Sequence, residues 1–127
     1  MAPNPALVPL GKLTITAAGT TVLLSANCGP LGGQPITNWQ NPPAPGQAFR
    51  FVEIQADPSN SGNLYLLPRG KTVTANPGSI IALIGPGGSL PFPNGIMAGV
   101  GITPENFCLD TDAGSGTQYA YGYGTLG

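Results

Sequence analysis

The sequence predicts an all-β protein, one antiparallel β-sandwich of eight to nine short strands with no significant helix. Three observations carry that expectation. Apolar and polar residues alternate over short runs, the period of a half-buried strand. Gly, Pro, Asn, Asp and Ser clusters break these runs every 8 to 12 residues or so. No window free of Gly and Pro repeats apolar residues at i, i+3, i+4 and i+7, the spacing a helix needs to bury one face.

The strands follow in order. "KLTITAA" (12–18) places Leu13 and Ile15 on one face and Thr14 and Thr16 on the other. "TTVLLSA" (20–26) follows after Gly19, so a hairpin or bulged pair is expected there. "AFRFVEIQA" (48–56) puts Val52, Ile54 and Ala56 on one face and Phe51, Glu53 and Gln55 on the other. "NLYLLP" (63–68), "KTVTA" (71–75) and "SIIALI" (79–84) come next, then "GIMAGVGI" (95–102), "NFCLDTD" (106–112) and "TQYAYGYG" (117–124). Such spacing suits a jelly-roll or immunoglobulin-like sandwich. Between the third and fourth runs, "ADPSNSGNLYLLPRG" (56–70) reads as a reversal. Asp57 and Pro58 stop pairing, Ser59, Asn60 and Ser61 bond the turning backbone, and Gly62 permits positive φ.

At 127 residues the chain makes one domain. Twenty Gly and fifteen Pro favour loops, while 41% hydrophobic residues supply a core. Residues 1–9, with prolines at 3, 5 and 9, read as an extended arm, either frayed or docked on a neighbour. Residues 10–127 form the sandwich, interrupted by surface excursions at 27–47 and 85–95 where prolines forbid interior sheet pairing.

Charge sets the functional class. Only 7% of residues are charged, against roughly a quarter in ordinary soluble domains, and the net charge is −1. A surface this neutral suits a molecule packed among protein neighbours. Lys12, Arg50, Arg69 and Lys71 are too few and too scattered to neutralise a nucleic acid or hold an anionic membrane. The proline-broken start has no signal-peptide pattern, and no apolar run approaches transmembrane length. Cys28 and Cys108 are read as free thiols in preference to a disulfide.

Three segments together, "IQADPSNSGNLYL", "VTANPGSIIAL" and "ITPENFCLDTDAGSGTQYAYGYGTL", resemble the turn pattern of small all-β virion proteins of tailed bacteriophages. The resemblance spans residues 49–126, and residues 1–47 depart from it. It implies a structural component of the particle, such as a capsid decoration or cement protein or another minor head or tail protein. A decoration protein would be made in the host cytoplasm and end on the outer capsid surface, bound to the major capsid protein.

Chemistry finds little foothold. The chain has no His, which removes the commonest general base and most zinc sites. The acids are Glu53, Asp57, Glu105, Asp110 and Asp112. Asp110 and Asp112, two apart on a strand, share a face as a hydrolase pair would, but read better as solvent-facing acids at a strand end. "DTDAGSG" fails the calcium-loop pattern at Gly114, Ser115 and Tyr121. Gly122, Gly124 and Gly127 match G-x-G-x-x-G with no helix following, and "GPGGSLP" lacks the lysine of a phosphate-binding loop. No enzyme, cofactor or metal is expected.

Contact residues are the candidates instead. Tyr119, Tyr121 and Tyr123 share one strand face opposite the small Ala120, Gly122 and Gly124, where a neighbouring layer can approach closely. They form either an interface stripe or part of the core. Trp39 anchors a partner, pins its own loop, or offers a platform to a sugar; the last reading makes the protein a carbohydrate- or host-receptor-binding module. Phe92 in the second excursion and Pro3, Pro5, Val8 and Pro9 in the arm complete the set.

Overall fold

The computed structural model describes residues 7–16, 18–19, 21–24, 40, 48–92, 103–112 and 116–126. They form eight strands: β1 (Leu7–Ile15), β2 (Val22–Leu23), β3 (Phe49–Ala56), β4 (Leu64–Pro68), β5 (Ala82–Ile84), β6 (Ser89–Phe92), β7 (Phe107–Thr111) and β8 (Gln118–Leu126). Two single 3-10 turns, Pro77–Ser79 and Pro104–Asn106, are the helical elements among the described residues.

The strands make two four-stranded sheets, ordered β1-β8-β3-β6 and β2-β7-β4-β5, with every pair antiparallel. The pairings nest: β1 lies against β8, β2 against β7, β3 against β6 and β4 against β5. Two further pairings, β3 with β8 and β4 with β7, complete the sheets laterally. Both sheets feed one core. Leu10, Leu13, Ile15, Phe49, Val52, Ile54 and Ala120 come from the first, and Val22, Leu64, Leu66, Ile84 and Leu109 from the second.

The alternation expected in 48–56 holds, since Val52, Ile54 and Ala56 are buried while Glu53 and Gln55 face away. A register shift between Phe49 and Phe51 turns Phe49 into the core as well. Leu13 and Ile15 are likewise buried.

Several expectations are corrected. Residues 12–18 and 20–26 do not pair with each other, because β1 and β2 belong to different sheets. Residues 7–9, assigned to the arm, belong to β1, with Val8 opposite Gly124 and Pro9 opposite Tyr123. Pro9 is tolerated because β1 is an edge strand. Residues 89–92 of the second excursion form β6, again an edge, so Pro91 removes no interior hydrogen bond. "KTVTA" is a turn despite its β-branched residues. Ala75 N donates to Thr72 Oγ1 (3.1 Å), Thr72 N to Asn76 Oδ1 (3.2 Å) and Asn76 N to Thr72 O (2.9 Å), so local side-chain acceptors coil the backbone. The expected strand 95–102 lies outside the described residues, as do 1–6, 27–39 and Cys28. Cys108 is a free, buried thiol, and burial pushes its pKa up.

Asp110 also departs from expectation, since it is fully buried. It accepts Gly19 N and Thr111 N at 2.8 Å each on Oδ1, and Val73 N at 2.9 Å on Oδ2. The carboxylate thus ties the β1–β2 and β4–β5 connections over the outer face of the second sheet. Asp112 remains exposed and accepts Asn63 N (2.9 Å) and the Tyr65 hydroxyl (2.9 Å). The Asp110 carboxylate is locked in backbone amides, and that of Asp112 holds a turn.

The 57–63 segment does not return along its own sheet. It carries the chain from β3 in the first sheet to β4 in the second. Asn60, buried here, mimics a strand residue: Nδ2 donates to Tyr119 O (2.9 Å) and Oδ1 accepts Tyr119 N (2.8 Å). Gln118, also buried, accepts Gly62 N (3.0 Å) and donates to Ser61 Oγ (2.9 Å). Gly62 keeps a negative φ; among the described residues positive φ falls at Gly11, Gly19, Gly70, Gly87 and Gly116.

Candidate functional site

The tyrosine stripe lies on the outer face of the first sheet. On β8, Ala120 and Gly124 point into the core while Tyr119, Tyr121 and Tyr123 point away from it. The small face permits this arrangement: a methyl group on Gly124 would stand 2.6 Å from Phe49 Cε2, so the core ring packs directly on the glycine backbone.

Neighbouring strands set the surroundings of the three rings. Thr14 and Lys12 of β1 lie opposite Tyr119 and Tyr121, with Pro9 opposite Tyr123. From β3, Gln55 lies opposite Tyr121 and Glu53 opposite Tyr123. Each ring has a specific anchor. Lys12 Nζ sits 4.0 Å from the centroid of the Tyr119 ring, a cation–π contact. The Tyr121 hydroxyl donates to Asp57 Oδ2 at 2.6 Å. Tyr123 packs against Phe51 with centroids 6.1 Å apart and planes tilted by 51°.

These contacts leave an electrostatic signature. Asp57 accepts the Ser59 hydroxyl (2.6 Å) and Ser59 N (2.8 Å) as well as Tyr121. The Ser59 hydroxyl first, and Tyr121 next, lower its pKa from 3.8 to about 2. The same bond raises the Tyr121 pKa, because the phenol must donate to a carboxylate; burial and then Glu53 raise that of Tyr123. The folded pKa of Asp57 is depressed, so its contribution to stability is fully present above pH 3.8 and is lost as pH falls through about 2. A carbon-detected NMR titration is expected to place the Asp57 midpoint near 2, and Tyr121→Phe to move it upward. A midpoint at the ordinary aspartate value in the parent protein would mean that the ring is not held in this way.

Among the contact residues expected from sequence, the structure brings Pro9, Tyr119, Tyr121 and Tyr123 together on one face. Val8 does not join them, because its side chain packs against the core. Phe92 ends β6 opposite Val52, and its side chain, like Pro3, Pro5 and Trp39, lies outside the described residues. Phe51, Lys12 and Asp57 were missed as members of the face. Alternation had already put Phe51 with Glu53 and Gln55, but the sequence carries no sign that β3 lies beside β8.

Among the described residues, no three His, Cys, Asp or Glu side chains come together as a metal site. No described helix is long and apolar enough to cross a membrane. No family model, no curated protein and no solved structure matches the chain.

Proposed function

We propose that this chain is a non-enzymatic structural component of a tailed-bacteriophage particle, most specifically a capsid decoration protein. It seats as a small homo-oligomer, a trimer or dimer, on the outer shell across junctions between major capsid subunits and stabilises them through buried contact area. The observation that carries this reading is the anchored tyrosine face of the first sheet in a chain with 7% charged residues. Aromatic rings with polar tips, already held by Lys12, Asp57 and Phe51, lose little conformational freedom on docking. Several such contacts on one oligomer add by avidity.

The nested pairing supports a jelly roll, an architecture that viral capsid domains share with lectins. An immunoglobulin-like sandwich would instead pair the first strand with the second. The fold alone does not select the role, so the tyrosine face carries it.

The test is add-back. Purified shells lacking the protein are expected to bind it in hundreds of copies per particle, and Tyr121→Ala with Tyr123→Ala to weaken that binding about tenfold or more while near-UV spectra keep their folded form. Shells that take up none of the parent protein would end this reading. A carbohydrate- or receptor-binding module is the second reading. It is favoured by the hydrogen-bonding groups of Glu53 and Gln55 beside the rings, and glycan-array binding lost in the same variants would select it.

A further inference from the structure

Among the described residues the two sheets have four edge strands, and three of them carry features that close them to further pairing. On β1, Pro9 lacks an amide, Gly11 sits at a bulge, and Gln40 takes up both main-chain groups of Lys12. Lys12 N donates to Gln40 Oε1 (3.0 Å), and Gln40 N donates to Lys12 O (3.2 Å). β6 carries Pro91, and β2 is two residues long. Each is a recognised way of blunting a sheet edge. β5 is the least protected of the four. It is short, at three residues, but contains no proline, charge or bulge, and together with the preceding Ile81 it presents apolar side chains at the edge: Ile81 at 52% and Leu83 at 55% exposure, the most exposed large hydrophobic residues among those described.

We propose that β5 is a self-association edge, on which two copies of this chain pair antiparallel about Ala82 and join their β2-β7-β4-β5 sheets into one continuous sheet. The occupant follows from charge and symmetry. No charged residue occurs from 72 to 104, so the edge strand itself carries no charge that would repel a second copy or recognise a charged partner. Ile81 and Leu83, two apart, share the outward face, whereas Ala82 and Ile84 turn inward. Pairing about Ala82 sets Ile81 of one copy against Leu83 of the other, twice over, which is the self-complementarity a two-fold interface requires. Two side chains and a short ladder fall well below the roughly 1,200 Å² of a standing interface, so the pair is weak in dilute solution and concentration-dependent.

The test uses the isolated full chain in buffer, so it stands apart from shell binding. Sedimentation velocity over roughly 10 μM to 1 mM, the span that brackets weak association, is expected to show a monomer–dimer equilibrium. Leu83→Lys weakens it by about tenfold or more by setting a charge against Ile81 of the other copy at both ends of the pair. Leu83→Thr, which introduces an uncharged β-branched strand former but removes apolar area, weakens it less, and Tyr121→Ala leaves it unchanged. Amide exchange at residues 81–84 slows as concentration rises, a readout that a contact elsewhere would not move. A parent protein monomeric throughout, a Leu83→Lys variant that dimerises like the parent, or a dimer abolished by Tyr121→Ala would each overturn the proposal.

Discussion

Asp110→Ala is expected to destabilise the protein by about 3 kcal/mol, because buried donors that lose a charged acceptor cost roughly 1–3 kcal/mol each and are only partly rehydrated. The carboxylate is fully buried and holds the amides of Gly19, Val73 and Thr111, so its removal releases two connections at once. Asp110→Asn separates the parts. Its carbonyl can keep Gly19 and Thr111, but its amide then faces the Val73 N–H donor to donor. Urea unfolding of the three proteins measures the loss, and amide exchange locates it. In the Asn variant Val73 is expected to exchange faster while Gly19 stays protected. A loss below about 1 kcal/mol for the alanine variant would show that solvent replaces the carboxylate, leaving the loops held by other contacts.

Gly124→Ala is expected to cost about 1–3 kcal/mol, the range for forcing volume into a packed core. The added methyl would meet Phe49 Cε2 at 2.6 Å and Phe51 O at 3.2 Å. The carbonyl belongs to the neighbouring strand and cannot retreat without breaking the ladder, so the Phe49 ring must move from a site where it is 1% exposed. Phe49→Leu makes room. The double variant is therefore expected to be more stable than the sum of the two single losses predicts, a coupling measurable in a thermal or urea double-mutant cycle. Strict additivity would mean that the strain is relieved on the β8 side, by tilting the strand.

Strand periodicity was legible where one face meets the core. Val52, Ile54 and Ala56 read correctly from alternation alone, as did Leu13 and Ile15, because a one-residue slip would expose the whole apolar set. The large and small faces of β8 were also legible, since glycine on one side and tyrosine on the other is a strong asymmetry. Partnership between strands was not. Adjacent runs such as 12–18 and 20–26 look like a hairpin, and only the competition of all eight strands for core positions sends them to different sheets. "KTVTA" misled because propensity weighs residues singly, whereas the Thr72 and Asn76 side chains act on backbone three and four residues away. Asp110 looked like a surface acid because what covers it, Gly19 and Val73, is remote in sequence. The tyrosine face was half legible for the same reason: its β8 members were visible, but Lys12, Phe51 and Asp57 join it only through tertiary pairing.

The nested pairing also dictates how the molecule can be made. Leu7 meets Thr125, and among the described nested pairs β4 and β5 are the nearest in sequence, joined through residues 69–81. A ribosome releasing the chain from its amino end therefore exposes β1, β2 and β3 before any of their hydrogen-bonding mates exist. The first sheet waits on β8, and a nascent fragment halted before residue 118 can pair β3 with β6 but leaves β1 without a partner.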